Sequence, residues 1–219
     1  GDAKKPARQG RAPMDSLFAA VDETAAAPAD GDYEVITTRA ALDALVNKLE
    51  RAPLIAVDTE TTDVRPMFAK LAGLSFSVEA GHGCYVPVRS PNPDDHLDEA
   101  TVLAALRPVL EDPARPKVGH NIKYDLNVLR NASVTLRGVC EAPGGDTMIA
   151  SYLIDASRSS HAMDALALAL LQRENVSIKE LIGTGKNQKR FDEVSLDQAG
   201  PYAAEDADVT LRLAGAMHP

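Results

Sequence analysis

The chain holds 219 residues, 45% of them hydrophobic but only 4% aromatic and none Trp, so a single domain with a core of mostly Ala, Leu and Val is expected. A net charge of −9 argues against a protein that grips duplex nucleic acid over a broad basic face, though not against one that meets nucleic acid through bound cations in a narrow cleft. Two cysteines far apart, Cys84 and Cys140, speak against a disulfide framework or a zinc site and for a reducing compartment; with no apolar run near the roughly 18 residues of a membrane helix and no signal peptide visible, a cytoplasmic location is expected.

The first residue is Gly rather than Met, which reads as a piece of a longer chain. Residues 1–31 are rich in Ala, Pro, Gly, Asp and Lys, with Leu17, Phe18 and Val21 as a small apolar cluster, and read as a flexible linker or tail. A short helix over 14–21 is given no function. These 31 residues carry four basic and five acidic side chains, which leaves −8 of the −9 to the domain expected over 32–219.

Ordered structure is expected from Tyr33, with a strand over 34–37 and then a helix capped by Thr38 and running to residue 51. Leu42, Leu45, Val46 and Leu49 form its core stripe. Leu54-Ile55-Ala56-Val57 reads as a fully buried strand, and it ends in Asp58-Thr59-Glu60. Strand alternation puts Asp58 and Glu60 on one face, where each disfavours the other's ionisation unless a cation sits between them. For such a pair a metal site is weighed slightly ahead of a structural carboxylate. Strands over 71–78 and 84–88, joined by a turn at 81–83, complete an antiparallel meander. A helix over 97–110 leads to Lys117-Val118-Gly119, a short strand placed for a parallel crossover.

In His120-Asn121-Ile122-Lys123-Tyr124-Asp125, Asn121 is read as the cap of a helix with Ile122, Leu126 and Leu129 on its inner face. Asp125 then sits in the first turn, where the helix dipole alone would account for it, and His120 is left as a packed or surface residue. Beyond Asp146 the chain reads as mainly helical, over 146–154, 162–171 and 177–182. Lys186-Asn187-Gln188-Lys189-Arg190-Phe191 is by composition a solvated loop, yet it alone combines positive charge, amide donors and a stacking ring. Gly200 is expected to end a short helix and Pro201 to open the last one. There Tyr202 and Asp206 lie one turn apart, and Ala203, Ala207 and Leu211 form a stripe suited to close packing. A phenol above a carboxylate fits either packing or the steering of a water beside a metal ligand.

The segments Ala56-Val57-Asp58-Thr59-Glu60-Thr61, Gly119-His120-Asn121-Ile122-Lys123-Tyr124-Asp125 and Tyr202-Ala203-Ala204-Glu205-Asp206-Ala207-Asp208 follow one another in the order of a known family. Together they resemble the 3′-5′ exonucleases that use four acidic residues and a tyrosine, above all the proofreading exonuclease domain of bacterial DNA polymerase I. Gly183-Thr184-Gly185-Lys186-Asn187-Gln188 resembles a loop of that polymerase family, and the likeness spans residues 33–213. It implies an α/β, ribonuclease-H-like fold, a mixed central β-sheet flanked by α-helices. It also implies two divalent metal ions, Mg2+ or Mn2+, held by Asp58, Glu60, Asp125 and Asp206. In this scheme Asp58 bridges both ions, Glu60 and Tyr202 orient the attacking water, Asp206 completes its site, and Asp125 serves the second ion. Ions about 4 Å apart can activate water and offset charge on an in-line phosphoryl group.

The resemblance also carries substrate contacts to Thr61, Val64, Asn121, Tyr124 and Phe191. Val64 stands where relatives have a leucine that wedges against the terminal base, and Phe191 where a ring packs on the terminal nucleotide. Residues 141–145 look like a small inserted surface loop. The expected activity is hydrolysis of single-stranded or frayed DNA 3′ ends to mononucleotides, by a monomer within a chain that also holds a polymerase domain. The alternatives are RNA 3′-end trimming of the ribonuclease D kind, or a catalytically silent spacer.

Overall fold

The computed structural model describes residues 31–140 and 145–218; the expected tail, its helix over 14–21 and most of the 141–145 insertion lie outside them. In chain order the elements are β1 (Asp32–Val35), α1 (Arg39–Arg51), β2 (Ile55–Thr61), β3 (Leu71–Glu79), β4 (His82–Pro87), α2 (Glu99–Leu110), β5 (Lys117–Val118), α3 (Lys123–Asn131), α4 (Thr147–Ile154), α5 (Met163–Leu166), α6 (Ile178–Ile182) and α7 (Leu196–Ala216). The strands form one mixed sheet in the order β1-β4-β3-β2-β5. β2, β3 and β4 are the antiparallel meander, and β5 returns parallel to β2 after α2. β1 begins two residues before the expected strand and pairs parallel with β4. Among the described residues no helix is long and apolar enough to cross a membrane.

Alternation along β2 assigns the two layers. Ile55 and Val57 point to one face, where they join Leu74, Phe76 and Val86 beneath α1 and α2. Ala56 points to the other, against Leu211 and Ala214 of α7. The first helices start where side chains can satisfy their free N–H groups: Thr38 accepts from Ala41 N at 3.2 Å and Asp98 from Thr101 N at 3.0 Å. α7 comes close to the sheet because the residues between them are small. Ala203, Ala204 and Ala207 are fully buried, and a Cβ on Gly83 would lie 2.2 Å from the Ala204 carbonyl oxygen. This approach sets the acidic stretch of α7 down beside the end of β2.

Two expectations are corrected. α7 is continuous from Leu196 through Pro201 to Ala216. Pro201 falls in its second turn, and the carbonyl left without a helical donor belongs to Asp197, an exposed residue that water can serve. Gly200 does not end a helix but packs on β1, where a Cβ would lie 2.3 Å from Val35 Cγ2. Nor does Asn121 cap α3, since its backbone is left-handed with φ 58°. The turn that enters α3 is instead held by Asp146, whose carboxylate accepts from Asn121 N at 2.9 Å and Ile122 N at 3.1 Å, and also from Met148 N of α4 at 3.0 Å.

Candidate active site

The alternation that buries Ala56 against α7 carries Asp58 and Glu60 to the same side, and helical spacing sets Tyr202 one turn before Asp206. The two elements bring these side chains together. One carboxylate oxygen each from Asp58, Glu60 and Asp206 lies within 4.8 Å of the others. The acids flanking Asp206 are neutralised: Glu205 pairs with Arg173 and accepts from Val176 N at 2.9 Å, while Asp208 takes Arg212 Nε at 2.9 Å, Gly81 N at 2.7 Å and the Tyr33 phenol at 3.0 Å. Among the described residues no Lys or Arg pairs with Asp58, Glu60 or Asp206, and the polar neighbour that favours the charged form of Asp206 is the Tyr202 phenol.

Three unneutralised carboxylates at this spacing resist ionisation. Burial pushes Asp58 up to about 6. Burial, and then the charges of Asp58, Asp206 and Asp125, hold Glu60 well above the usual carboxylate range. Burial and Asp58 do the same to Asp206. Burial, then the nearby acids, also raises the Tyr202 phenol, so that it is a neutral donor near pH 7. An all-oxygen, anionic donor set of this kind fits a hard divalent cation such as Mg2+ or Mn2+.

Asp125 stands outside the 4.8 Å cluster but is tied to the same strand end. It is 2% exposed, and its Oδ1 accepts from Thr59 N at 3.0 Å and Thr59 Oγ1 at 2.5 Å. Burial and the charge of Asp58 raise its pKa. Thr61 and Tyr124 meet, hydroxyl to hydroxyl, and the phenol also bonds the Asp63 carbonyl at 2.5 Å. The loop after β2 is thereby fixed to α3, with Val64 at its outside, 88% exposed. The Asn121 side chain accepts from Lys123 Nζ.

Phe191 meets different surroundings from those expected. It is 5% exposed and packed between Tyr85 and Tyr202, with ring centroids 6.2 Å and 6.0 Å away. Its ring braces Tyr202 and offers little face to a nucleotide. His120 has no ligand role in this arrangement: its Nδ1 lies 2.8 Å from Thr147 Oγ1, and burial lowers its pKa to about 4. Two functional supports escape a reading of the sequence. Thr59 sits between the two acids with no local signal of its bond to Asp125, and Asp146 carries a recognisable cap signal for α4 but none for the turn before α3, 24 residues earlier at Ile122.

A family model for 3′-5′ exonucleases matches residues 33–219. DNA polymerase I of Pseudomonas aeruginosa is 47% identical over 193 residues, which cover 86% of this chain and 21% of that protein. The chain thus spans about a fifth of this relative's length. Among solved structures, ribonuclease D of Trypanosoma brucei aligns with a TM-score of 0.65 at 17% identity, over 83% of this chain and 63% of that one. Brucella melitensis NrnC with bound Mg2+ aligns with a TM-score of 0.58 at 21% identity, over 85% of this chain and 79% of that one. At these identities the two structures share the fold, which is ribonuclease-H-like.

Proposed function

The chain belongs to the 3′-5′ exonuclease family, and from that premise we propose that it removes nucleotides stepwise from single-stranded or frayed DNA 3′ ends as the proofreading part of a longer polymerase. The observation that carries this reading is the cluster of Asp58, Glu60 and Asp206, within 4.8 Å of one another and, among the described residues, without a basic partner. In this reading residues 32–219 are the exonuclease unit and 1–31 a linker or tail, a division supported by a family match that begins at residue 33.

Asp58, Glu60 and Asp206 would hold divalent ions, with Asp125 serving a second ion from its seat against Thr59. Bound there, such ions would lower the pKa of the attacking water and offset charge on the phosphoryl oxygens. The chain's own residues supply the positioning. Tyr202, one helical turn from Asp206 and neutral near pH 7, donates toward the water, and Glu60 accepts from it. Val64, exposed on a loop pinned by Tyr124, wedges against the terminal base, while Thr61, Asn121 and Tyr124 line the approach of the scissile phosphate.

An RNA-trimming enzyme has the same fold, as the alignment with ribonuclease D illustrates, but the 47% identity to a DNA polymerase I favours DNA. A silent spacer would have no reason to keep four acids and a phenol assembled. The test uses end-labelled DNA strands blocked at either terminus, matched RNA strands, and a blunt duplex. Stepwise release of mononucleotides from free DNA 3′ ends is expected, much slower on the duplex because terminal pairs must melt first. Unimpaired digestion of the 3′-blocked strand, or cuts within a circle, would reject the reading, and preference for RNA would transfer it to the trimming class.

A further inference from the structure

The floor of the acidic cluster holds two hydroxyls that the mechanism above does not use. On β3, Ser75 stands opposite Asp58 of β2 and opposite Tyr85 of β4, so the three share one row on the face covered by α7. Ser75 and Tyr85 are both 0% exposed. Neither Ser75 Oγ nor Tyr85 Oη has a hydrogen-bond partner among the described residues. Buried polar groups are rarely left this way, because the desolvation they suffer is then uncompensated.

The phenol is also aimed. Gly73 is the partner of Glu60 across the β2–β3 pair, and a Cβ there would lie 2.4 Å from Tyr85 Oη. The hydroxyl therefore leans over the one position in that row without a side chain, toward Glu60. Burial and the nearby Glu60 charge raise the Tyr85 pKa, which keeps the phenol protonated. Its ring is held edge-on against Phe191, which in turn packs on Tyr202.

We propose that Ser75 and Tyr85 are positioning residues for the acidic cluster, their hydroxyls donating, directly or through a water, to the inner oxygens of Asp58 and Glu60 when these ionise around divalent cations. With the inner oxygens engaged, the outer ones are fixed toward the cleft. Groups that hold a metal ligand in place in this manner typically change metal affinity tenfold or more when removed. The proposal rests on the exonuclease reading for the use of the ions, and on the row of side chains for the coupling.

Tyr85→Phe and Ser75→Ala delete the hydroxyls with little change of shape. Calorimetric titration with Mn2+ is expected to give a Kd about tenfold weaker in each variant, while Tm in EDTA is unchanged or higher because an unpaired group is gone. The Mg2+ concentration for half-maximal hydrolysis should rise in parallel. Wild-type Mn2+ affinity in both variants would overturn the proposal and leave the exonuclease reading standing; a lowered Tm in EDTA with unchanged affinity would overturn it by assigning the hydroxyls to the fold. A wild-type chain that binds no Mn2+ would overturn both.

Discussion

At the scale of single residues, the chain separates acids it neutralises from acids it does not. Glu205 and Asp208 are held by Arg173 and Arg212, and Asp206 between them is left to the cluster. Without cations this arrangement costs stability, and the dependence on pH has a definite sign. Asp58 has its pKa raised from 3.8 to about 6 in the folded chain, so folding favours its protonated form. The stabilisation from that proton is complete below pH 3.8 and is lost as pH rises through about 6. Glu60, Asp125 and Asp206 are raised as well, by burial and then by the neighbouring carboxylates, and add to the loss as pH rises. Asp58→Asn cannot titrate. In EDTA its Tm relative to wild type should therefore climb between pH 4 and 7, with hydrolysis abolished; a relative Tm that falls over that range would contradict the assignment. Tyr202→Phe should lose less activity than Asp206→Ala, because the phenol guides a water that the carboxylate site binds without it. Equal losses, measured as kcat under saturating Mg2+, would give Tyr202 a larger part than orientation.

At the scale of elements, the site depends on how helices begin and how closely they pack. α3 carries Tyr124 and Asp125, and the N–H groups of Asn121 and Ile122 in the turn before it are satisfied by Asp146, which caps α4. Asp146→Ala removes the cap of α4 and the anchor of the turn before α3, at about 1 kcal/mol each, so a loss of about 2 kcal/mol in urea unfolding is expected, with a fall in activity as α3 loosens. Asp146→Asn, which keeps an acceptor, should lose less. A variant as stable as wild type would refute this double anchoring. Such long-range anchors are where sequence reading fails. Asn121 followed by an apolar stripe carries the local signal of a helix start, but the acceptor that wins comes from 24 residues beyond Ile122. Pro201 likewise carries the signal of a helix start, and tertiary packing of Gly200 on Val35 carries the helix through it instead.

At the scale of the whole molecule, period-two alternation in β2 and the i to i+4 spacing of Tyr202 and Asp206 were enough to foresee which acids meet. Both periods are local, and the meander and parallel crossover leave few ways to join them. The burial of Phe191 was not foreseeable, because a ring in a basic, amide-rich loop has the composition of a solvated platform, and only the tertiary contact with Tyr85 and Tyr202 covers it. The net charge of −9 is legible from composition, and its meaning depends on the cluster. A protein this acidic cannot draw nucleic acid by phosphate neutralisation alone, so the proposed function requires divalent cations between the carboxylates and the phosphate. The most direct check of this central claim is the Tm of the wild-type chain, and of a variant carrying Asp58→Ala with Asp206→Ala, measured across a Mn2+ titration. Wild type should gain about 2.7 kcal/mol of stability at a hundredfold excess over Kd, and the double variant should gain nothing; a wild-type Tm indifferent to Mn2+ and Mg2+ would contradict the account.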